Sequence, residues 1–151
     1  SFKNLVVTRT FSKAYGLSGL RVGYGIMNPA IALALNKVRE PFNVNLLAQA
    51  AALGALDDLA HLNKTLAMVR QGRAYLTKEF KKLKRLTVET ATNFVLLNME
   101  SDTKDVYEKL LRKGVIVRPM TAWGMPHFLR ITIGKPSENK RFIEALKGAI
   151  A

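Results

Sequence analysis

Thr10, Ser12, Lys13 and Arg21 are the residues whose types and spacing suit chemistry. They lie in Thr10-Phe11-Ser12-Lys13-Ala14-Tyr15-Gly16-Leu17-Ser18-Gly19-Leu20-Arg21-Val22-Gly23-Tyr24-Gly25. A lysine beside hydroxyls, just after the apolar run Leu5-Val6-Val7, suits two tasks: gripping a phosphate, or covalent chemistry with a carbonyl. An amine adds to an aldehyde only when deprotonated, which burial or a neighbouring cation favours. Arg21 can be that cation, and its guanidinium can hold a phosphate through two parallel hydrogen bonds. Thr10 and Ser12 add neutral donors, and the glycines let the backbone approach a ligand. The nucleoside-phosphate order G-x-x-x-x-G-K-[ST] is absent, as is the dinucleotide fingerprint G-x-G-x-x-G.

Composition narrows the remaining classes. The chain has 151 residues, 48% hydrophobic and 23% charged, as expected of a globular domain with a real core. No apolar run reaches the length of a membrane span, so no membrane partner is expected. Without cysteine there is no disulfide framework, thiol nucleophile or thiolate metal site; a cytoplasmic location is the expectation. His61 and His127 are too far apart for metal-ligand spacing, so no metal is expected. The formal charge of +13 invites a nucleic-acid partner. However, Arg70, Arg73, Lys78, Lys81, Lys82, Lys84 and Arg85 share a helical pattern whose other face is apolar, which a solvated helix face explains. A basic binding module stays open as the non-enzyme alternative, and a nucleic-acid partner is not expected.

These residues need elements to position them. Ser1 to Thr8 is expected to be a strand ending at the lysine motif, and Val22 to Met27 a second, buried strand. Asn28 caps a helix with Pro29 at its first position, ending near Pro41. Leu46 to Leu56 reads as a buried helix. Asp57 or Asp58 caps a long helix from about Leu59 to Lys84, which Gly72 would bend. After it the pattern becomes α+β. A strand is centred on Asn93-Phe94-Val95-Leu96-Leu97, and an amphipathic helix from Asp102 to Lys113 ends at Gly114. Val115-Ile116-Val117 is a short strand delivering Arg118. Phe128 to Ile133 alternates as a strand around Arg130, and Ser137 caps the last helix.

The lysine stretch resembles the cofactor-binding segment of fold-type I aminotransferases that use pyridoxal 5'-phosphate. Within them it is most similar to histidinol-phosphate aminotransferases, which read close to T-x-S-K-A-[FY]-G-L-[AS]-G-L-R-[VC]-G-[YF]. A second similarity is Arg39-Glu40-Pro41-Phe42-Asn43-Val44-Asn45, against R-x-P-[YF]-N-V-[NS]. A third is Phe128-Leu129-Arg130-Ile131-Thr132-Ile133-Gly134, against F-L-R-[IV]-[ST]-[IV]-G.

The resemblance implies an α/β fold: residues 1–57 as the end of the large cofactor-binding domain, and residues 58–151 as a small α+β C-terminal domain entered through the long helix. It implies Lys13 as the Schiff-base lysine and catalytic base, with Thr10, Ser12 and Arg21 on the cofactor phosphate. Arg130 would take the substrate carboxylate, Arg118 the substrate phosphate, and Asn93 would face the site. From the residues alone, Arg130 could point to solvent, Arg118 could form a structural salt bridge, and Asn93 could cap a turn. The implied reaction is amino exchange between L-histidinol phosphate and 2-oxoglutarate in histidine biosynthesis, by a homodimer. Threonine-phosphate decarboxylase, which shares the lysine and carboxylate motifs, and another class I/II aminotransferase remain alternatives. The family's D-E-[AS]-Y segment, whose aspartate pairs with the pyridine nitrogen, is absent. The expectation is a C-terminal fragment that is inactive alone.

Overall fold

The lysine stretch lies between two strands that pair with each other. The structure is a computed structural model that describes residues 2–150. Strand β1 (Val6–Thr10) runs antiparallel to β2 (Gly23–Met27), with Thr10 opposite Gly23 and Val6 opposite Met27. A side chain at position 23 would meet the Arg9 carbonyl oxygen at 2.6 Å, so glycine is what lets the strands close at the loop end. Strand β1 thus starts at Val6 and includes Thr10, a later span than the expected Ser1–Thr8; Ser1 lies outside the described residues. Strand β2 is not buried: Ile26 is 63% exposed and Tyr24 is also open. Its apolar sequence is that of a strand covered on both faces, and among the described residues nothing covers it.

Helix α1 (Pro29–Val38) starts where Asn28 Oδ1 accepts from the Ala30 N–H at 2.9 Å. Helix α2 (Leu46–Asp57) starts similarly, with Asn45 Oδ1 accepting from Ala48 N–H at 2.9 Å. The expectation that α2 is buried is corrected by its side chains. Ala48 is buried and Ala52 and Ala55 pack beside it, whereas Leu46, Leu47, Leu53 and Leu56 are exposed. Apolar residues surround this helix, so its sequence marks no preferred face.

Helix α3 (Leu59–Lys82) is capped by Asp58, whose Oδ1 accepts from His61 N–H at 2.9 Å. By contacts the chain divides into residues 1–66 and 67–151, inside α3, whereas the sequence suggests a division at the head of that helix.

In the second unit, β3 (Phe94–Asn98), β4 (Arg118–Met120) and β5 (Met125–Thr132) form an antiparallel sheet of order β3-β5-β4. The expected strand at Val115–Val117 is displaced: pairing begins at Arg118, and Pro119 follows on the edge strand, where a missing N–H is tolerated. Val95, Leu97, Leu129 and Ile131 point to one face and pack on Leu76 and Phe80 of α3, on Leu110 of α4 (Lys104–Arg112) and on Phe142, Ile143 and Leu146 of α5 (Pro136–Ile150). Each such side chain, taken fully out of water, contributes roughly 1.5–3 kcal/mol.

Helix α5 begins before Ser137. Pro136 is its first residue, and Glu138 Oε2 accepts from Lys135 N–H at 2.7 Å, the reach-back that a Glu in the first turn makes. Gly72 marks a close approach: a Cβ there would lie 2.6 Å from Ile133 Cγ2 and 2.8 Å from Asn139 Nδ2. Asn139 is buried and its amide both donates to and accepts from the Gly134 backbone at 2.9 Å.

Candidate functional site

The lysine loop is built around one buried ring. Phe11 is buried with Val22 and Ala48, and Tyr15, Leu17 and Leu20 pack against them. The Phe11 and Tyr15 ring centroids are 4.9 Å apart. The stripe Ala48, Ala52, Ala55, at helical spacing, gives α2 a face small enough to approach the loop. Backbone bonds then set its path. Phe11 N–H donates to Val22 carbonyl at 3.1 Å, Leu17 N–H to Phe11 carbonyl at 3.0 Å, and Gly16 N–H to Lys13 carbonyl at 2.9 Å. Gly16 takes φ +75°, a conformation glycine adopts without steric cost. The turn Lys13–Gly16 leaves the Lys13 side chain exposed, with no ion pair among the described residues.

The neighbours are donors. Thr10 Oγ1 accepts from Ser12 N–H at 3.0 Å, which orients both hydroxyl residues at the end of β1. Arg21 follows the 3-10 turn Ser18–Leu20 in a left-handed conformation, φ 54°, and donates Nη1–H to the Ser18 carbonyl at 2.7 Å. A non-glycine residue there carries strain of order 1–2 kcal/mol. Strain of this kind concentrates where a side chain must be aimed. Residues 1–39 contain no Asp or Glu, so the loop lies in a stretch with no carboxylate of its own.

In the second unit, Arg118 and Arg130 are direct partners across β4 and β5 and therefore share the face opposite the core. Arg130 lies over the Phe94 ring, its guanidinium carbon 5.3 Å from the centroid, and Arg118 lies 5.6 Å from the Trp123 centroid. Among the described residues neither forms an ion pair; the pairs present are Lys82–Glu79, Arg85–Glu100, Lys109–Asp105 and Lys147–Glu79. The salt bridge considered for Arg118 is absent among them. A groove of about 560 Å³ runs along this face, with Arg118, Arg130, Trp123, Tyr107 and Thr132 in its lining. Like charges directly opposite cost about 0.2–1 kcal/mol, and each aromatic face offsets about 0.5–1 kcal/mol. An anion in the groove would supply the counter-charge that no carboxylate among the described residues provides.

Asn93 is half-buried just before β3, and its backbone carbonyl accepts from Ile133 N–H at 2.9 Å. The hydroxyls of Thr90 and Thr92 cap that turn instead. Arg73 of α3 holds the segment by donating to the Thr90 and Ala91 carbonyls at 3.0 and 3.3 Å. Sequence reasoning missed Trp123 and Phe94. Phe94 was legible as a strand residue alternating with Val95, but its place diagonally from Arg130 comes only from the β3–β5 register. Trp123 was not: it lies in a loop that carries no period. Lys13, Thr10, Ser12 and Arg21 belong to the first unit, and Arg118, Arg130 and Asn93 to the second.

Comparison with known proteins gives the same direction. The family described as Aminotransferase class I and II matches residues 2–146. Histidinol-phosphate aminotransferase of Symbiobacterium thermophilum is 47% identical over 149 residues, which cover 99% of this chain and 41% of that protein. The structure of histidinol-phosphate aminotransferase from Clostridium acetobutylicum matches with a TM-score of 0.92 at 26% identity, covering 99% of this chain and 46% of that one. The Sinorhizobium meliloti enzyme, solved in complex with pyridoxal-5'-phosphate, matches with a TM-score of 0.91 at 28% identity, covering 98% of this chain and 41% of its own. The chain thus spans about 40% of the length of the curated relatives it matches.

Proposed function

Because this chain belongs to the class I and II aminotransferase family, we propose that its lysine loop holds pyridoxal 5'-phosphate. The reaction we propose for the protein is exchange of the amino group of L-histidinol phosphate with 2-oxoglutarate, a step of histidine biosynthesis. The carrying observation is Lys13, exposed and without an ion pair among the described residues, at a turn flanked by Thr10, Ser12 and Arg21 in a stretch free of carboxylates. These residues fit the group. Lys13 carries the amine for its aldehyde, the hydroxyls of Thr10 and Ser12 are donors for its phosphate, and Arg21 adds a guanidinium for the same phosphate. Bound, the cofactor would supply the electron sink for the pair that stays behind when the substrate Cα proton leaves. Lys13, its amine exchanged for the substrate's, would be the base that takes that proton and the acid that gives it back on the other side of the exchange.

Arg130 and Arg118 supply the recognition. Among the described residues each guanidinium is free of a carboxylate partner, and it can take an anion in a two-pronged grip. In this reading Arg130 binds the α-carboxylate of 2-oxoglutarate, Arg118 the phosphate ester of L-histidinol phosphate, and Asn93 faces the substrate. The chain carries no D-E-[AS]-Y segment, so nothing of that kind pairs with the pyridine nitrogen, and alone it is proposed to be inactive.

The test is intact mass after incubation with pyridoxal phosphate and borohydride reduction, on the wild-type chain and on Lys13→Ala. One adduct on the wild type, missing from the variant, supports the reading. Equal, scattered labelling of both proteins overturns it.

A further inference from the structure

We propose that Trp123 is a positioning residue for Arg118, holding its guanidinium at the groove so that the whole N–H fork stays free for a phosphate monoester. This rests on the reading that Arg118 takes the substrate phosphate. Arg118 is exposed on the edge strand β4, and a long side chain there would lose much rotamer freedom on binding a ligand. No carboxylate among the described residues restrains it, and a carboxylate would neutralise the charge the ligand needs. An aromatic face restrains a guanidinium differently. It attracts the cation while using none of its N–H donors.

The chain between β4 and β5 is shaped to place that face. The register shifts between Pro119 and Met120, the 3-10 turn Thr121–Trp123 follows, and Gly124 at φ +72° turns the chain into β5, where Met125 pairs with Met120. The tight turn returns the indole to the start of β4, 5.6 Å from the Arg118 guanidinium carbon. Both side chains line the same groove. Trp123 remains 53% exposed, so core packing does not account for an indole at this position. Arg130 has the corresponding arrangement over Phe94, but there the aromatic is part of the ladder; Trp123 belongs to the connection and can be changed without disturbing a strand pair.

Trp123 is the only tryptophan of the chain, so its fluorescence reports on the site directly. The experiment titrates the wild-type chain, Trp123→Leu, Trp123→Phe and Arg118→Gln with glycerol 3-phosphate. Calorimetry follows all four, and indole fluorescence follows the two proteins that retain Trp123. The expected result is a saturable fluorescence change in the wild type that Arg118→Gln loses. Trp123→Leu binds about fivefold more weakly with an unchanged melting temperature, and Trp123→Phe recovers most of the affinity. Wild-type affinity in a folded Trp123→Leu overturns the inference and leaves Arg118's role standing. Undiminished binding by Arg118→Gln, or none by the wild type, overturns the reading of Arg118 and the inference with it. If Trp123→Leu does not fold, the wild-type signal decides: calorimetric binding with an unmoved indole overturns the inference, and an indole change lost in Arg118→Gln supports it.

Discussion

Arg118 and Arg130 stand directly opposite each other in the β4–β5 ladder, on the face away from the core, with no carboxylate between them among the described residues. Two cations so placed oppose folding slightly and favour an anion strongly. Replacing one with an uncharged chain of similar length separates the two effects. Arg130→Met keeps the apolar stem and removes the repulsion, so urea unfolding of the unliganded chain should change by no more than about 1 kcal/mol. Binding of 2-oxoglutarate, measured by calorimetry, should be lost. A variant that unfolds more easily by several kcal/mol would show that Arg130 is structural.

Arg21 gives a similar separation in the first unit. At φ 54° it occupies a conformation that glycine takes freely, so Arg21→Gly should preserve or raise stability by up to about 1 kcal/mol. The gain is limited by the freer unfolded chain that glycine brings. The same variant loses the guanidinium, and retention of pyridoxal phosphate in equilibrium dialysis should fall. Unchanged retention would remove Arg21 from the phosphate site.

Gly72 tests packing. A helix interior normally gains about 1 kcal/mol when glycine becomes alanine. Here the added methyl would meet Ile133 Cγ2 at 2.6 Å, and Asn139, whose amide is tied to Gly134, at 2.8 Å. Overpacking costs about 1–3 kcal/mol, so Gly72→Ala should be net destabilising in urea. A stabilised variant would mean that α3 parts easily from Ile133 and Asn139.

Glu79 links stability to pH. Its hydrogen bond to Lys82 holds the carboxyl below its ordinary value, Lys82, Lys147 and Lys78 adding charge attraction and burial opposing. A carboxyl with a lowered folded pKa contributes stability that is complete above its unfolded value, about 4.3, and is lost as pH falls through the lower, folded value. Melting temperatures of the wild type should therefore fall more steeply than those of Glu79→Gln below about pH 4.5. Parallel curves would show that the contact contributes nothing.

Much of this protein is legible in its sequence because local chemistry settles it. Asn28, Asn45 and Asp58 are helix caps by side-chain type, and the structure uses each as one. The order Thr10, Ser12, Lys13, Arg21 marks the loop, and alternation around Arg130 marks β5 with Leu129 and Ile131 inward. Local patterns fail where burial depends on distant chain. Apolar β2 and α2 read as buried and are largely open, since residues alone do not say what lies over them. The start of β4 moved from Val115 to Arg118 because pairing with β5, not β propensity, sets register. The sequence by itself determined the elements, the caps and the candidate cations. Only the tertiary structure decided that Arg118 and Arg130 are partners, that each has an aromatic face and that neither has a counter-ion among the described residues. Cross-strand pairing and ring stacking join residues whose spacing along the chain carries no period.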